Sequence, residues 1–239
     1  MLSKNQLRNI SKLSTKKNRQ ESGLFLAEGE KLVYELLDSG WKANKIYTTL
    51  PIQNINHIRI DSNQMKKISQ LASASKILGI FHLPKYDSSH LHHQGFSLVL
   101  DSVADPGNMG TIIRLCDWFG IKNLFCGLNS VDCFNPKVVQ SSMGSIARVR
   151  CHYVDILALI ENCETPVYGA TLDGNPYYKE SFPSHGLLVM GSESHGISDA
   201  LLEKIDHRIT IPSRNSGTGV ESLNVGIASA ILLGEIFRP

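Results

Sequence analysis

From residue 96 onward the chain repeats one pattern: a short apolar run, a loop of glycine, proline and small polar residues, then a segment of helical periodicity. The runs fall at 96–100, 123–126, 166–172, 187–190 and 208–211. Runs this short and this apolar suit strands covered on both faces, and their alternation with helices predicts an α/β domain on a mostly parallel sheet. In open sheets of that kind ligands bind outside the carboxyl ends of the strands. The loops that follow strands are therefore the place to look for function.

Residues before 88 read differently. The first twenty predict a short basic helix, followed by a helix at 28–39 closed by Gly40, strands at 45–49 and 57–60, and a helix at 63–72. This is a small α/β unit. It carries 14 Lys or Arg against 7 Asp or Glu, whereas residues 88–239 carry 10 against 15, so a modest overall +2 conceals a split of +7 and −5. A basic first domain beside an acidic second one points to a polyanion held by the first. The stretch 88–95 is polar and aperiodic, which predicts three parts: a domain over 1–87, a linker, and a domain over 96–239. His90, His92 and His93 in that linker lack a Cys or carboxylate partner at metal-ligand spacing and read as solvated. The five cysteines form no C-x-x-C pair and read as small hydrophobes. The longest apolar stretch, 227–233, is too short for a bilayer, and the opening is basic where a leader would be apolar. No metal and no membrane partner are expected, and the expected compartment is the cytoplasm.

Three strand-end loops carry unusual residues. The first runs from Asp101 through Asp105-Pro-Gly-Asn-Met-Gly110 and leads into Arg114. Pro106, Gly107 and Gly110 make a tight turn there, and Asn108 is placed to cap a helix at 109–119 from which Arg114 projects away from the buried stripe. The second is Gly191-Ser-Glu-Ser-His-Gly196, whose glycines admit close backbone approach and whose Glu193 puts a carboxylate at a strand end. It lacks the G-x-G-x-x-G spacing of a dinucleotide site. The third runs from Ile211-Pro212 through small polar residues to Ser222-Leu223-Asn224, with Ser222 a plausible cap for an apolar helix beginning at Asn224. Gly226, Ala228, Ser229 and Ala230 keep one stretch of that helix small enough for another backbone to pack against it. A further helix is expected to start at Pro136, capped by Asn135.

In this order, the three loops resemble motifs one to three of the SpoU (TrmH) family of RNA 2′-O-ribose methyltransferases, over the whole of 96–239. The segment 19–31, RQESGLFLAEGEK, is similar to the N-terminal substrate-binding domain of many members. The resemblance implies a SPOUT-type domain whose parallel sheet is tied in a deep trefoil knot, preceded by a small α/β domain like certain ribosomal proteins. It implies a homodimer that binds S-adenosylmethionine and methylates a ribose 2′-hydroxyl of structured RNA. Ribosomal RNA is favoured over transfer RNA through the N-terminal domain. Carried over by position, Thr171, Leu172, Gly191, Glu193, Gly196, Ile211 and Leu223 hold the cofactor. Asn108, Arg114, Glu193, Ser222 and Asn224 surround the methyl group and the target ribose.

Two alternatives stand beside this reading: a transfer RNA ribose methyltransferase, and a catalytically silent RNA-binding member of the same fold. An ordinary nucleotide-binding α/β enzyme is disfavoured by the absence of phosphate-loop patterns. The family's proposal of the motif-one arginine as base conflicts with guanidinium chemistry, because Arg stays protonated in proteins. Arg114 is expected instead to bind a phosphate and stabilise developing negative charge. Between Pro212 and Ser222 the chain is about three residues longer than the family pattern, so 213–220 is where it departs.

Overall fold

The computed structural model describes residues 2–86, 95–214 and 221–239. The three linker histidines and most of the longer third loop lie outside them. Two compact units emerge: the first takes in 1–85 together with Asp132–Arg148, the second 86–131 together with Val149–Pro239, so beside a division close to the expected linker one later segment, 132–148, belongs to the first unit.

The first unit opens with helix α1 (Lys4–Ser11), a single 3-10 turn and helix α2 (Lys16–Ser22). Ser3 and Gln6 close a capping box at the start of α1, and Gly23, at φ 66°, ends α2 in the left-handed region that favours glycine. The rest is a four-stranded sheet in the order β1 (Leu24–Glu28), β4 (Ile77–His82), β2 (Ala43–Thr48), β3 (Ile58–Arg59), with helices α3 (Glu30–Asp38) and α4 (Ser62–Ile68). β4 pairs antiparallel with both β1 and β2, and β2 runs parallel to β3. The sequence reading lacks β1 and β4, although β4 is a central strand.

Asp132–Arg148 joins this unit because its side chains complete the first unit's core. Helix α6 (Pro136–Ser141), capped by Asn135 as expected, packs on β1. Phe134 lies 4.8 Å, centroid to centroid, from the fully buried Phe25, which also meets Trp41 edge-on at 5.6 Å. Arg19 is 1% exposed; its Nε donates to Asp132 Oδ2 at 2.9 Å and its Nη1 to the carbonyls of Leu13 and Ser14. A buried guanidinium must be paired to offset its desolvation. Asp132 does that here, and so fixes where the segment folds.

The second unit holds a six-stranded sheet, parallel throughout, in the order β10 (His207–Thr210), β8 (Val167–Pro176), β9 (Gly186–Met190), β5 (Phe96–Leu100), β6 (Asn123–Gly127), β7 (Arg150–Val154). β5 and β9 are buried at every position, as the unbroken apolar runs require. β7, an edge strand of sequence RCHYV, is missing from the sequence reading. One face carries α7 (Ile156–Glu161) and α8 (Asp199–Leu202), whose apolar residues cluster with Val99, Val189 and Ile197. Elsewhere in the unit α5 (Pro106–Trp118) packs against α9 (Val225–Ile236). The two helices approach closely because Gly226 faces Thr111: a Cβ on Gly226 would stand 3.2 Å from Thr111 Cγ2.

The β8–β10 pairing jumps between Arg208, opposite Gly169, and Ile209, opposite Asn175. At the jump the chains are in backbone contact, since a Cβ on Gly174 would meet the Arg208 carbonyl carbon at 2.6 Å.

Candidate active site

Four neighbouring strands, β10, β8, β9 and β5, run parallel, so the loops after them emerge along one edge of the sheet. The three loops singled out by sequence all lie there, and side-chain hydrogen bonds join them.

The join rests on how two helices begin. α5 starts at Pro106, capped by Asp105, whose Oδ1 accepts from Asn108 N at 2.8 Å. Asn108 is thus not the cap the sequence reading makes it, but a residue of the first turn with its amide free for other work. α9 is capped by Asn224 and not by Ser222: Asn224 Oδ1 accepts from the backbone N–H of Gly226 at 3.0 Å and of Ile227 at 3.2 Å. That leaves Asn224 Nδ2 as a donor, and it donates to Asn108 Oδ1 at 2.8 Å. The same logic turns Asn108 Nδ2 outward, where it donates to Glu193 Oε1 at 2.6 Å. One chain of bonds therefore runs from the Glu193 carboxylate through Asn108 to the first turn of α9, crossing residues 193, 108 and 224.

The second loop is itself tightly closed. Ser192 and Gly196 exchange both backbone hydrogen bonds, at 2.9 and 3.0 Å, and Gly196 takes φ 67°. A Cβ on Gly191 would stand 2.0 Å from the Gly196 carbonyl carbon, so only glycine fits. Just beyond, Ser198 N donates at 2.8 Å to Oδ2 of Asp101, a buried carboxylate at the end of β5. Asp101 N in turn donates to Met190 O. Asp101 thus pins the far side of the loop to the neighbouring strand end. The sequence reading did not single it out, although a carboxylate directly after a buried strand was the available signal.

Of the remaining residues, Thr171 Oγ1 is buried and has no hydrogen-bond partner, an exception among buried hydroxyls that suits a ligand donor. Leu172 is 75% exposed, and its carbonyl accepts from Thr210 Oγ1 at 3.2 Å, which sets it beside half-buried Ile211. Leu223 is 49% exposed. Thr171 and Leu172 thus lie within β8 and not in a loop after it, and Leu223 directly precedes the cap of α9; an unpaired hydroxyl and exposed apolar side chains are groups that a ligand with an apolar face and polar edges would cover. Arg114 projects from α5 into solvent with no ion pair among the described residues. Ser222 is exposed and joins no bond of the network among the described residues. Burial raises the Cys116 thiol above its ordinary range, and Asp117 adds to the effect, so this neighbour of Arg114 is an inert core residue. Among the described residues no group of three or more His, Cys, Asp or Glu could hold a metal ion, and no helix is long and apolar enough to cross a membrane.

Comparison with known proteins bears on the same loops. A family model described as the SpoU rRNA methylase family matches residues 95–234, and one described as an MRM3-like substrate binding domain matches residues 4–79. The chain is 32% identical, over 96% of its own length and 95% of the relative's, to the 23S rRNA (guanosine(2553)-2′-O)-methyltransferase RlmP of Bacillus subtilis. Among solved structures it superposes on a TrmH-family protein from Porphyromonas gingivalis with a TM-score of 0.87 at 39% identity, covering 100% of this chain and 99% of that one. It also superposes on an AdoMet-bound rRNA methyltransferase from Sinorhizobium meliloti with a TM-score of 0.88 at 27% identity, covering 100% and 97%.

Proposed function

Because this chain belongs to the SpoU rRNA methylase family, we propose that it methylates a ribose 2′-hydroxyl of ribosomal RNA with S-adenosylmethionine as donor. The observation that carries the reading is the Glu193–Asn108–Asn224 chain of hydrogen bonds, which organises three loops distant in sequence into one polar wall. The ribosomal substrate is supported by the Bacillus subtilis relative, which spans nearly the whole chain.

When bound, S-adenosylmethionine would supply an electrophilic methyl group on a sulfonium, with a neutral thioether as its leaving group. Thr171, Leu172, Gly191, Gly196, Ile211 and Leu223 would hold it, the Thr171 hydroxyl offering an unused hydrogen-bonding group and Leu172 and Leu223 exposed apolar surface. Glu193 borders the same pocket with its carboxylate fixed by Asn108. The chemical difficulty is the nucleophile, since a ribose hydroxyl is a weak one at neutral pH and must be aligned and relieved of its proton. Arg114, permanently cationic, grips the phosphate beside the target ribose and stabilises negative charge as it develops on the oxygen, while the proton passes to water. Asn108 keeps one N–H beyond its bond to Glu193, and with Ser222 and Asn224 it orients the hydroxyl.

We also read the chain as a knotted, cytoplasmic homodimer. The family match over residues 95–234 supports the knot. Trp118, 84% exposed at the end of α5, and Ile227, 53% exposed on the apolar α9, support an interface between copies.

The test is transfer of labelled methyl to unmodified large-subunit ribosomal RNA, followed by mapping of 2′-O-methyl positions, with calorimetric titration of S-adenosylmethionine alongside. Methylated ribose is expected. RNA binding without donor binding would instead make the chain a silent member of the fold. In the same assay Arg114→Lys is expected to keep most turnover with an unchanged pH profile. A new ionisation near the lysine's own would restore the base assignment.

A further inference from the structure

A cavity lies far along the chain from the methyl-transfer loops, entirely within the first unit. It has a volume of about 660 Å3, inside the roughly 300–1,000 Å3 range of small-molecule sites. Its wall includes Lys66 and Lys76, Ser62 and Ser73, with the buried Met65 and the exposed Leu50 as apolar surfaces; no Asp or Glu lines it. Leu50, 40% exposed, is held in place: its N–H donates to Thr48 Oγ1 at 3.0 Å, and that hydroxyl donates back to the Leu50 carbonyl at 2.8 Å. Lys76 is held likewise, its carbonyl accepting from Thr49 N at 2.9 Å. The backbone of the rim is thus fixed at Leu50 and at Lys76, with the Leu50 side chain left exposed.

The surroundings extend the charge. Lys4 and Arg8 on α1, and Lys12 directly after it, follow at spacings of four and are all exposed. Ser11 Oγ ties α1 to α4 by donating to the Lys67 carbonyl at 2.9 Å, so this stripe runs beside the helix that carries Lys66 and Lys67. None of these side chains, nor Lys76, makes an ion pair among the described residues. Unneutralised cations leading to an acid-free cavity with hydroxyls and an apolar floor match an unstacked nucleotide. The lysines would take its phosphates, the serines its base edge, and the exposed Leu50 its face.

We infer that this cavity receives a single nucleotide splayed out of the substrate RNA, at a position other than the methylated ribose, and so sets which RNA is engaged. The inference rests on RNA being the substrate. The family model that covers the cavity, 4–79, is a substrate-binding one but assigns no residue to it.

Two variants test it with unmodified large-subunit ribosomal RNA as probe. Lys66→Ala combined with Lys76→Ala is expected to flatten the dependence of log affinity on log salt by about 1.4, two single-strand phosphate contacts. Ser73→Trp, an exposed position that a ring would occlude, is expected to weaken RNA binding about tenfold with the salt slope unchanged, as for a lost base contact. In both, S-adenosylmethionine affinity and turnover at saturating RNA stay at wild-type values while KM for RNA rises. Wild-type RNA affinity in Ser73→Trp, or an unchanged slope in the lysine variant, overturns the inference and leaves the methyltransferase reading intact. A wild-type protein that neither binds nor methylates the RNA ends both.

Discussion

Replacing Asn108 with Asp changes one atom of the hydrogen-bonded wall and reverses its logic. The new carboxylate still accepts from Asn224 Nδ2, but it presents a second oxygen to Glu193 Oε1, where an N–H donor had stood at 2.6 Å. A hydrogen bond to a charged group contributes about 1.5–3 kcal/mol, and Glu193 is exposed, so the lower end applies. Repulsion between adjacent carboxylates near the surface adds about 1 kcal/mol. Together, at about 2.5 kcal/mol, they lower kcat/KM for methyl transfer by roughly 60-fold at neutral pH, taking 1.4 kcal/mol as tenfold. The deficit shrinks as pH falls, because paired carboxylates hold a proton more tightly and a protonated one restores the donor. Adding Glu193→Gln returns a donor from the opposite side, and the double variant recovers about tenfold over Asn108→Asp alone. Steady-state kinetics on ribosomal RNA across pH, with calorimetry for the donor, measure both. An Asn108→Asp enzyme within about threefold of wild type, or a second substitution that only adds its own loss, would refute the claim that this bond organises the site.

Gly191→Ala forces a Cβ into the Gly196 backbone, so it costs about 1–3 kcal/mol of stability and opens the Ser192–Gly196 closure. Thermal denaturation and donor titration check this, and an unchanged donor affinity counts against the loop's role. Asp132→Ala strands the buried Arg19 guanidinium and costs about 3 kcal/mol, the low end for a broken buried pair because the Leu13 and Ser14 carbonyls remain. Urea denaturation reads it, and a loss under about 1 kcal/mol would show the pair to be incidental. His152 is held below the ordinary histidine pKa by burial and then by Arg150, so the unfolded chain binds its proton more readily. Its contribution is complete above about pH 6.5, the unfolded value, and is lost as pH falls below that toward the lower folded-state pKa. The melting temperature should therefore drop below pH 6.5 in the wild type and less steeply in His152→Gln; parallel curves would remove His152 as the cause.

The strand-end loops were legible because each puts residues of unusual type beside an unmistakably buried run. Their internal geometry was partly legible too, and one rule shows why it was misread. Proline at the first helical position identifies the residue before it as the cap; applied at Asn135-Pro136 this was right, and at Asp105-Pro106 it would have named Asp105 in place of Asn108. Ser222 and Asn224 are both acceptable caps by residue type, and only the backbone chooses between them. β1 and β4 escaped because apolar runs of five or six residues carry no period that separates strand from helix. Nothing in local pattern could assign Asp132–Arg148, since what places it is a buried charge on Arg19, over a hundred residues earlier.

That excursion of the chain bears on how the protein is made. A fragment ending near residue 86 would lack Phe134, Asp132 and α6, leaving Phe25 bare and Arg19 without its counter-ion. During synthesis the first unit's core therefore has its full set of residues only once residue 148 has left the ribosome. By then β5 and β6, strands of the other half, have already been made. Neither half is a cassette that can be exchanged by cutting at the linker: a chimera must carry 132–148 from the same parent as the first 85 residues.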